Sequence, residues 1–201
     1  MARITLLPEQ FSLVEYDAAE VVAVVEEAAA LVGFPTDVDV VVEVDEELFA
    51  PLVGCSADVV DGRAHVWISG ANLEDVTRPR HFSADRSRLD FVIALLRAKD
   101  RLGPDFADAP ADAELTLAER TAWDAWSEGR AERLGVPTRR QRRLYDYRLQ
   151  HGFTDVADAV FDRLWAADTV TWAGIREACK ETGASDRPAA RVAADLLRQR
   201  P

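Results

Sequence analysis

Apolar positions recur along this chain with two different periods. Between Ala18 and Val32, the residues Val21, Val24, Val25, Ala28, Leu31 and Val32 fall at helical spacing, with Asp17 placed to cap the start and Gly33 to stop the helix. Asp37–Glu46 alternates instead. Val38, Val40, Val42 and Val44 stand against Asp37, Asp39, Glu43 and Asp45, the period of a strand with one buried face. Val41 interrupts the alternation and predicts partial cover on the other face. Ile4–Leu7 reads as a short strand ended by Pro8, and Ala64–Ser69 as a strand behind the turn signal Asp61-Gly62. Residues 47–62 read as irregular, and Gly70–Phe82 as a polar connection.

From Ser83 onward the period is helical. Ser83 caps a helix over Ala84–Leu102 with Leu89, Val92, Ile93, Leu96 and Leu102 on its apolar stripe, and Gly103-Pro104 ends it. Thr116 and Glu119 form a capping box at the start of a helix over Leu115–Leu134. Beyond Gly135-Val136-Pro137 the pattern predicts helices near 138–150, 154–166, 169–182 and 187–199. The fold expectation is α+β: a small mixed sheet with packed helices over residues 1–135, then an all-helical region over 136–201 packed on it. Strand order is left open, because pairing is non-local.

Composition narrows the class. With 48% apolar and 30% charged residues among 201, the chain has the make-up of a folded globular protein. No apolar run approaches the roughly 20 residues that cross a bilayer. The start, Met1-Ala2-Arg3-Ile4, carries no leader pattern, so the expectation is a cytoplasmic protein with no membrane association. Residues 1–75 hold 16 acids against Arg3 and Arg63 alone, while the chain as a whole carries −12. That balance argues against general nucleic-acid binding and favours a protein partner or self-association. The local exception is Arg139, Arg140, Arg142 and Arg143 near Tyr145 and Tyr147, read either as a docking face for carboxylates or as a nucleic-acid contact.

Catalytic signatures are scarce. Cys55 and Cys179 form no Cys-x-x-Cys pair, His65, His81 and His151 lie far apart, and no glycine-rich phosphate loop or nucleophile elbow is present. Arg78 and Arg80 flank Pro79 beside His81, just ahead of the capped helix at Ser83, an arrangement that can hold a phosphate or carboxylate.

The order strand, strand, long helix, second helix, with Trp123-Asp124-Ala125-Trp126-Ser127-Glu128 on the last, resembles a minimal zincin metallopeptidase domain from about Val38 to Gly135. In that family one helix bears His-Glu-x-x-His, two histidines sharing a zinc ion with a general-base Glu between them. The matching register here puts Ile93 and Arg97 at the histidine positions and Ala94 at the Glu position, and a fixed guanidinium cation repels a metal. Glu128 stands where the later helix carries an acidic ligand in some members. The resemblance therefore implies a zincin-like core without its zinc site: no cofactor, no catalytic set, and a role in protein interaction or regulation. The positions singled out for binding are Arg78, Arg80, His81, Arg97, Asp100, Trp126 and Glu128. The alternative is a hydrolase using Glu128 with Asp100 or His81, and a third reading is a nucleic-acid-associated factor using Arg139–Arg143.

Overall fold

A computed structural model describes residues 2–48 and 53–184, and they form two compact units that divide inside one helix, at Lys99/Asp100. The first contains β1 (Ile4–Leu7), α1 (Ala18–Val32), β2 (Val40–Asp45), β3 (Cys55–Val60), β4 (Arg63–Ser69), the short α2 (Gly70–Leu73), β5 (Glu74–Asp75), β6 (Arg78–Phe82) and most of α3 (Ala84–Leu102). Its main sheet is mixed, in the order β1-β2-β4-β3. β1, β2 and β4 run parallel, and β3 is an antiparallel edge.

The valine alternation fixes the register. Leu6, Val42, Val66 and Ala57 lie in one row across all four strands, and all four are buried. A slip of one residue would turn Glu43 inward. On the opposite face, Glu43 is exposed while Val41, His65 and Trp67 are half-buried, as the interrupted alternation predicts.

β3 corrects the reading of residues 47–62 as irregular. Cys55-Ser56-Ala57-Asp58-Val59-Val60 has no period of two, because it is an edge strand specified by its hairpin. Asp61 and Gly62 both take left-handed backbones, φ 50° and 74°, and form the two-residue turn that matches strand twist. The connection Gly70–Phe82 likewise contains α2 and a small antiparallel ribbon, β5–β6. Asp75 accepts from the Thr77 N–H and hydroxyl at 2.8 Å each and sets the ribbon's turn.

The helix limits follow the sequence closely. Asp17 Oδ1 accepts the Ala19 N–H at 2.8 Å, and Gly33, at φ 59°, closes α1. Leu31, placed on the apolar stripe, is exposed. α3 is buried on more than its expected stripe: Phe91, Ala94, Leu95, Arg97 and Ala98 join Val92 and Leu96. A helix covered on several sides loses its amphipathic signature.

The second unit takes the last turn of α3 from Asp100, then α4 (Leu117–Arg133), α5 (Arg140–His151), α6 (Asp155–Ala166) and α7 (Trp172–Glu181). Thr116, Thr154 and Thr171 cap α4, α6 and α7 through their hydroxyls, and Glu119 completes the capping box on α4. One core runs through these helices, including Phe106, Trp123, Trp126, Tyr147, Phe161, Trp165 and Trp172. α4 shares that core with α5–α7, so the compact units part within α3 and not at residue 135. The helix expected over 187–199 lies outside the described residues. Among those described, no helix is long and apolar enough to cross a membrane.

Candidate functional site

α5 has two apolar sides. Leu144, Tyr147 and His151 recur at i, i+3 and i+7 and are buried. Tyr145 and Leu149, spaced i, i+4, point elsewhere and stay 54% and 53% exposed. Phe153, 60% exposed, follows the helix and meets Tyr145 edge-on at a ring-centroid distance of 5.8 Å. Val156 at the start of α6, 50% exposed, belongs to the same stretch of chain. Four large apolar side chains within twelve residues of sequence, Tyr145 to Val156, are thus left to solvent. Grouped exposure of this kind marks an interaction surface more than scattered single residues do.

Two arginines precede this face, and Asp146 and Asp155 stand within its stretch of chain. Arg142 stands three residues before Tyr145, on the same side of the helix, and Arg139 precedes it. Neither guanidinium has a carboxylate partner among the described residues. The other arginines nearby are occupied. Arg140 pairs with Asp162 at 2.6 Å, and Arg148 grips Asp158 through Nε at 2.7 Å and Nη2 at 2.5 Å. Arg143 bonds Glu128 through Nε at 2.5 Å and lies 3.4 Å from Asp124. Burial lowers the Arg143 pKa, but Asp124 and Glu128 outweigh it and the net shift is upward.

Glu128 has a structural task. It is 2% exposed on α4, and its two oxygens accept from Arg143 Nε and from the Arg139 backbone N–H at 3.2 Å. It therefore places a carboxylate at the N-terminus of α5, where four arginines would otherwise oppose the helix dipole.

Asp100 and Trp126 are likewise absorbed into the second unit. Asp100 takes a bidentate pair from Arg130, at 2.7 and 2.6 Å, and the Trp123 indole N–H at 2.9 Å. The Arg130 guanidinium lies 3.5 Å from the Trp126 ring centroid, and Trp126 Nε1 donates to the Ala167 carbonyl at 3.0 Å. Trp123 and Trp126 are 0% and 3% exposed, so Trp126, singled out as a binding position, belongs to the core.

The remaining expected positions belong to the first unit. Arg97 is buried in mid-α3 and Ile93, one turn earlier, is half-buried. Arg78 and Arg80 are exposed on β6. His81 Nδ1 lies 3.4 Å from Glu15 Oε2. Among the described residues no group of three or more His, Cys, Asp or Glu is placed to hold a metal ion.

The sequence reading missed Leu149, Phe153 and Val156. The available signal was that Tyr145 and Leu149 fall off the stripe defined by Leu144, Tyr147 and His151. No protein-family model, no curated protein and no solved structure matches this chain.

Proposed function

We propose that this chain acts by binding rather than by catalysis, and that the Tyr145–Val156 face receives an acidic, amphipathic segment of a protein partner. The observation that carries the reading is the exposure of Tyr145, Leu149, Phe153 and Val156 within twelve residues, Tyr145 and Phe153 in contact, with Arg139 and Arg142 ahead of them and without a carboxylate partner among the described residues. Aromatic side chains supply contact area at low entropic cost, and unpaired arginines select for carboxylates. On this reading the chain is a zincin-like scaffold without a zinc site. What supports it is the pair of long helices α3 and α4 after the sheet, with Arg97 at the position where the register places a histidine.

A hydrolase centred on Glu128 has less support, since both oxygens of that carboxylate are held by α5. A nucleic-acid role is weakened because Arg140, Arg143 and Arg148 are already paired with carboxylates.

Fluorescence anisotropy tests the proposal, with the full chain titrated into a labelled helical peptide bearing Leu and Phe on one face and Glu on its flanks. The expected result is binding that weakens at least about tenfold in Phe153→Ser and in Arg142→Glu. Equal affinity for wild type and Phe153→Ser/Leu149→Ser, or no binding at all, overturns it. So does a dimer in sedimentation that Phe153→Ser abolishes, which would assign the face to a second copy.

A further inference from the structure

In the first unit, β1, β2 and β4 are parallel, so the chain leaves all three at the same edge of the sheet. The segments that follow them enclose a cleft of about 310 Å³, lined by Leu13, Val14 and Tyr16 after β1, by Glu46, Glu47 and Leu48 after β2, and by Gly70 and Ala71 after β4; Glu74 and Arg80 complete it. The crevice outside the carboxyl ends of parallel strands is where open α/β sheets bind ligands. Its size lies at the lower end of the about 300–1,000 Å³ typical of small-molecule sites.

The rim is tied together before any ligand arrives. Glu46 Oε2 accepts the backbone N–H groups of Ser12 and Leu13, both at 2.7 Å, joining the segment after β1 to the end of β2. The Tyr16 hydroxyl donates to the Gly70 carbonyl at 2.8 Å. Burial and the Glu74 carboxylate raise the Tyr16 pKa, so it stays a donor. Glu74 in turn accepts the Arg80 backbone N–H, and Arg80's carbonyl accepts from the Glu15 N–H at 2.8 Å. Such fixed walls reduce the ordering cost of binding.

Two opposite charges at this cleft have no use within the described structure. The Arg80 guanidinium has no ion-pair or hydrogen-bond partner among the described residues, although its backbone is held at φ 65°, a left-handed conformation uncommon for arginine. The exposed Glu47 carboxylate is equally unpartnered among them, and Glu46 keeps Oε1 free beyond its two rim bonds. Leu13, Val14, Leu48 and Ala71 line the same cleft and give it apolar surface.

We propose that this cleft binds a small zwitterion with an apolar side chain, an α-amino acid or a short peptide, its carboxylate on Arg80, its ammonium group on Glu47 and Glu46, and its side chain on the Leu13, Val14 and Leu48 wall. Guanidinium and carboxylate are the groups that recognise those two charges by charge-assisted hydrogen bonds. The site is independent of the α5–α6 face.

Isothermal titration of the full chain with L-leucine, L-leucinamide, N-acetyl-L-leucine and L-leucyl-L-leucine separates the contributions. Leucine is expected to bind, and each singly blocked analogue to bind at least about tenfold more weakly. Arg80→Gly removes the guanidinium while suiting the left-handed backbone, so the fold is kept. In that variant leucine and leucinamide should bind alike. Glu47→Gln, at an exposed position, should narrow the gap between leucine and its N-acetyl form, with Glu46 left to hold the ammonium group. A dipeptide tighter than leucine assigns the source to peptides, and the reverse order to free amino acids; both support the site. No heat with leucine and dipeptide alike, or leucinamide and acetyl-leucine as tight as leucine on the wild type, overturns it.

Discussion

The Cα of Gly129 on α4 faces the main chain of Trp165 on α6 so closely that a β-carbon there would lie 2.2 Å from the Trp165 carbonyl oxygen. One turn later, Arg133 donates to that same oxygen at 2.6 Å and to the Ala167 carbonyl at 2.7 Å, and Trp126 Nε1 donates to Ala167 as well. α4 thus supplies donors to the carbonyls at the end of α6, which have no partner within their own helix. Gly129 is what lets the two helices approach near enough for this.

Gly129→Ala should therefore destabilise the protein, although alanine gains about 1 kcal/mol over glycine in a helix interior. The obstruction is backbone on another helix and not the end of a flexible side chain. Overpacking of this kind costs about 1–3 kcal/mol, occasionally more, and outweighs the propensity gain. Urea unfolding should show a lower midpoint with an unchanged slope; a raised midpoint would mean that α6 moves aside freely.

Asp112 is fully buried between two cations. Arg101 reaches Oδ1 at 3.1 Å and Arg120 stands 3.6 Å from Oδ2, while a second nitrogen of each donates to a carbonyl at 2.7 Å, Pro110 for Arg101 and Asp112 for Arg120. Removing one member of such a buried set leaves uncompensated charge, at about 3–5 kcal/mol. Asp112→Asn should lower stability by that order, read from urea unfolding. A loss below about 1 kcal/mol would mean that the arginines reach water when the carboxylate is gone.

His151 makes stability depend on acid. It is 2% exposed, stacked on Tyr147 at 3.8 Å, with Nδ1 2.8 Å from Thr182 Oγ1 and Nε2 3.1 Å from the Ala118 carbonyl. Burial lowers its pKa to about 4, against the opposing pull of Ala118. The unfolded chain, near pKa ~6.5, binds the proton more readily, so stability is fully present above that value and falls as pH drops toward 4. Between those two pKa values the full effect is on the order of 3 kcal/mol. Urea midpoints at pH 7 and pH 4.5 should differ more in the wild type than in His151→Asn; identical differences would remove His151 as the cause.

Much of this was legible in local sequence, and the failures share one physical origin. Asp17, Gly33, Thr116 and Glu119 act within a few residues, and they set α1 and α4 as read. The valines of β2 carry their own period, and the row through Leu6, Val66 and Ala57 follows from it. β3 was missed because an edge strand is specified by its partner and its turn. Glu128 and Trp126 were singled out by their residue types, but their roles depend on Arg143 and Ala167, fifteen and forty-one residues away. Arg80 drew attention beside Pro79 and His81, while the cleft it lines is assembled from the ends of three strands whose pairing no local pattern gives.

Tyr147 supplies a prediction of opposite sign. Its ring is wholly buried, stacked on His151 and edge-on to Phe161 at 5.4 Å, yet its hydroxyl has no hydrogen-bond partner among the described residues. Burial raises the pKa of this phenol, with Cys179 adding to the effect, so it stays neutral and holds an unused donor. An unsatisfied buried polar group costs about 1–3 kcal/mol, and Phe keeps the ring while deleting the group. Tyr147→Phe should accordingly leave stability unchanged or raise it, by up to about 1 kcal/mol after allowance for the small void left behind. Thermal and urea unfolding of the variant, beside a Tyr16→Phe control that removes a satisfied hydroxyl, read the difference directly. A loss at Tyr147 as large as that at Tyr16 would show that the hydroxyl has a partner in solution.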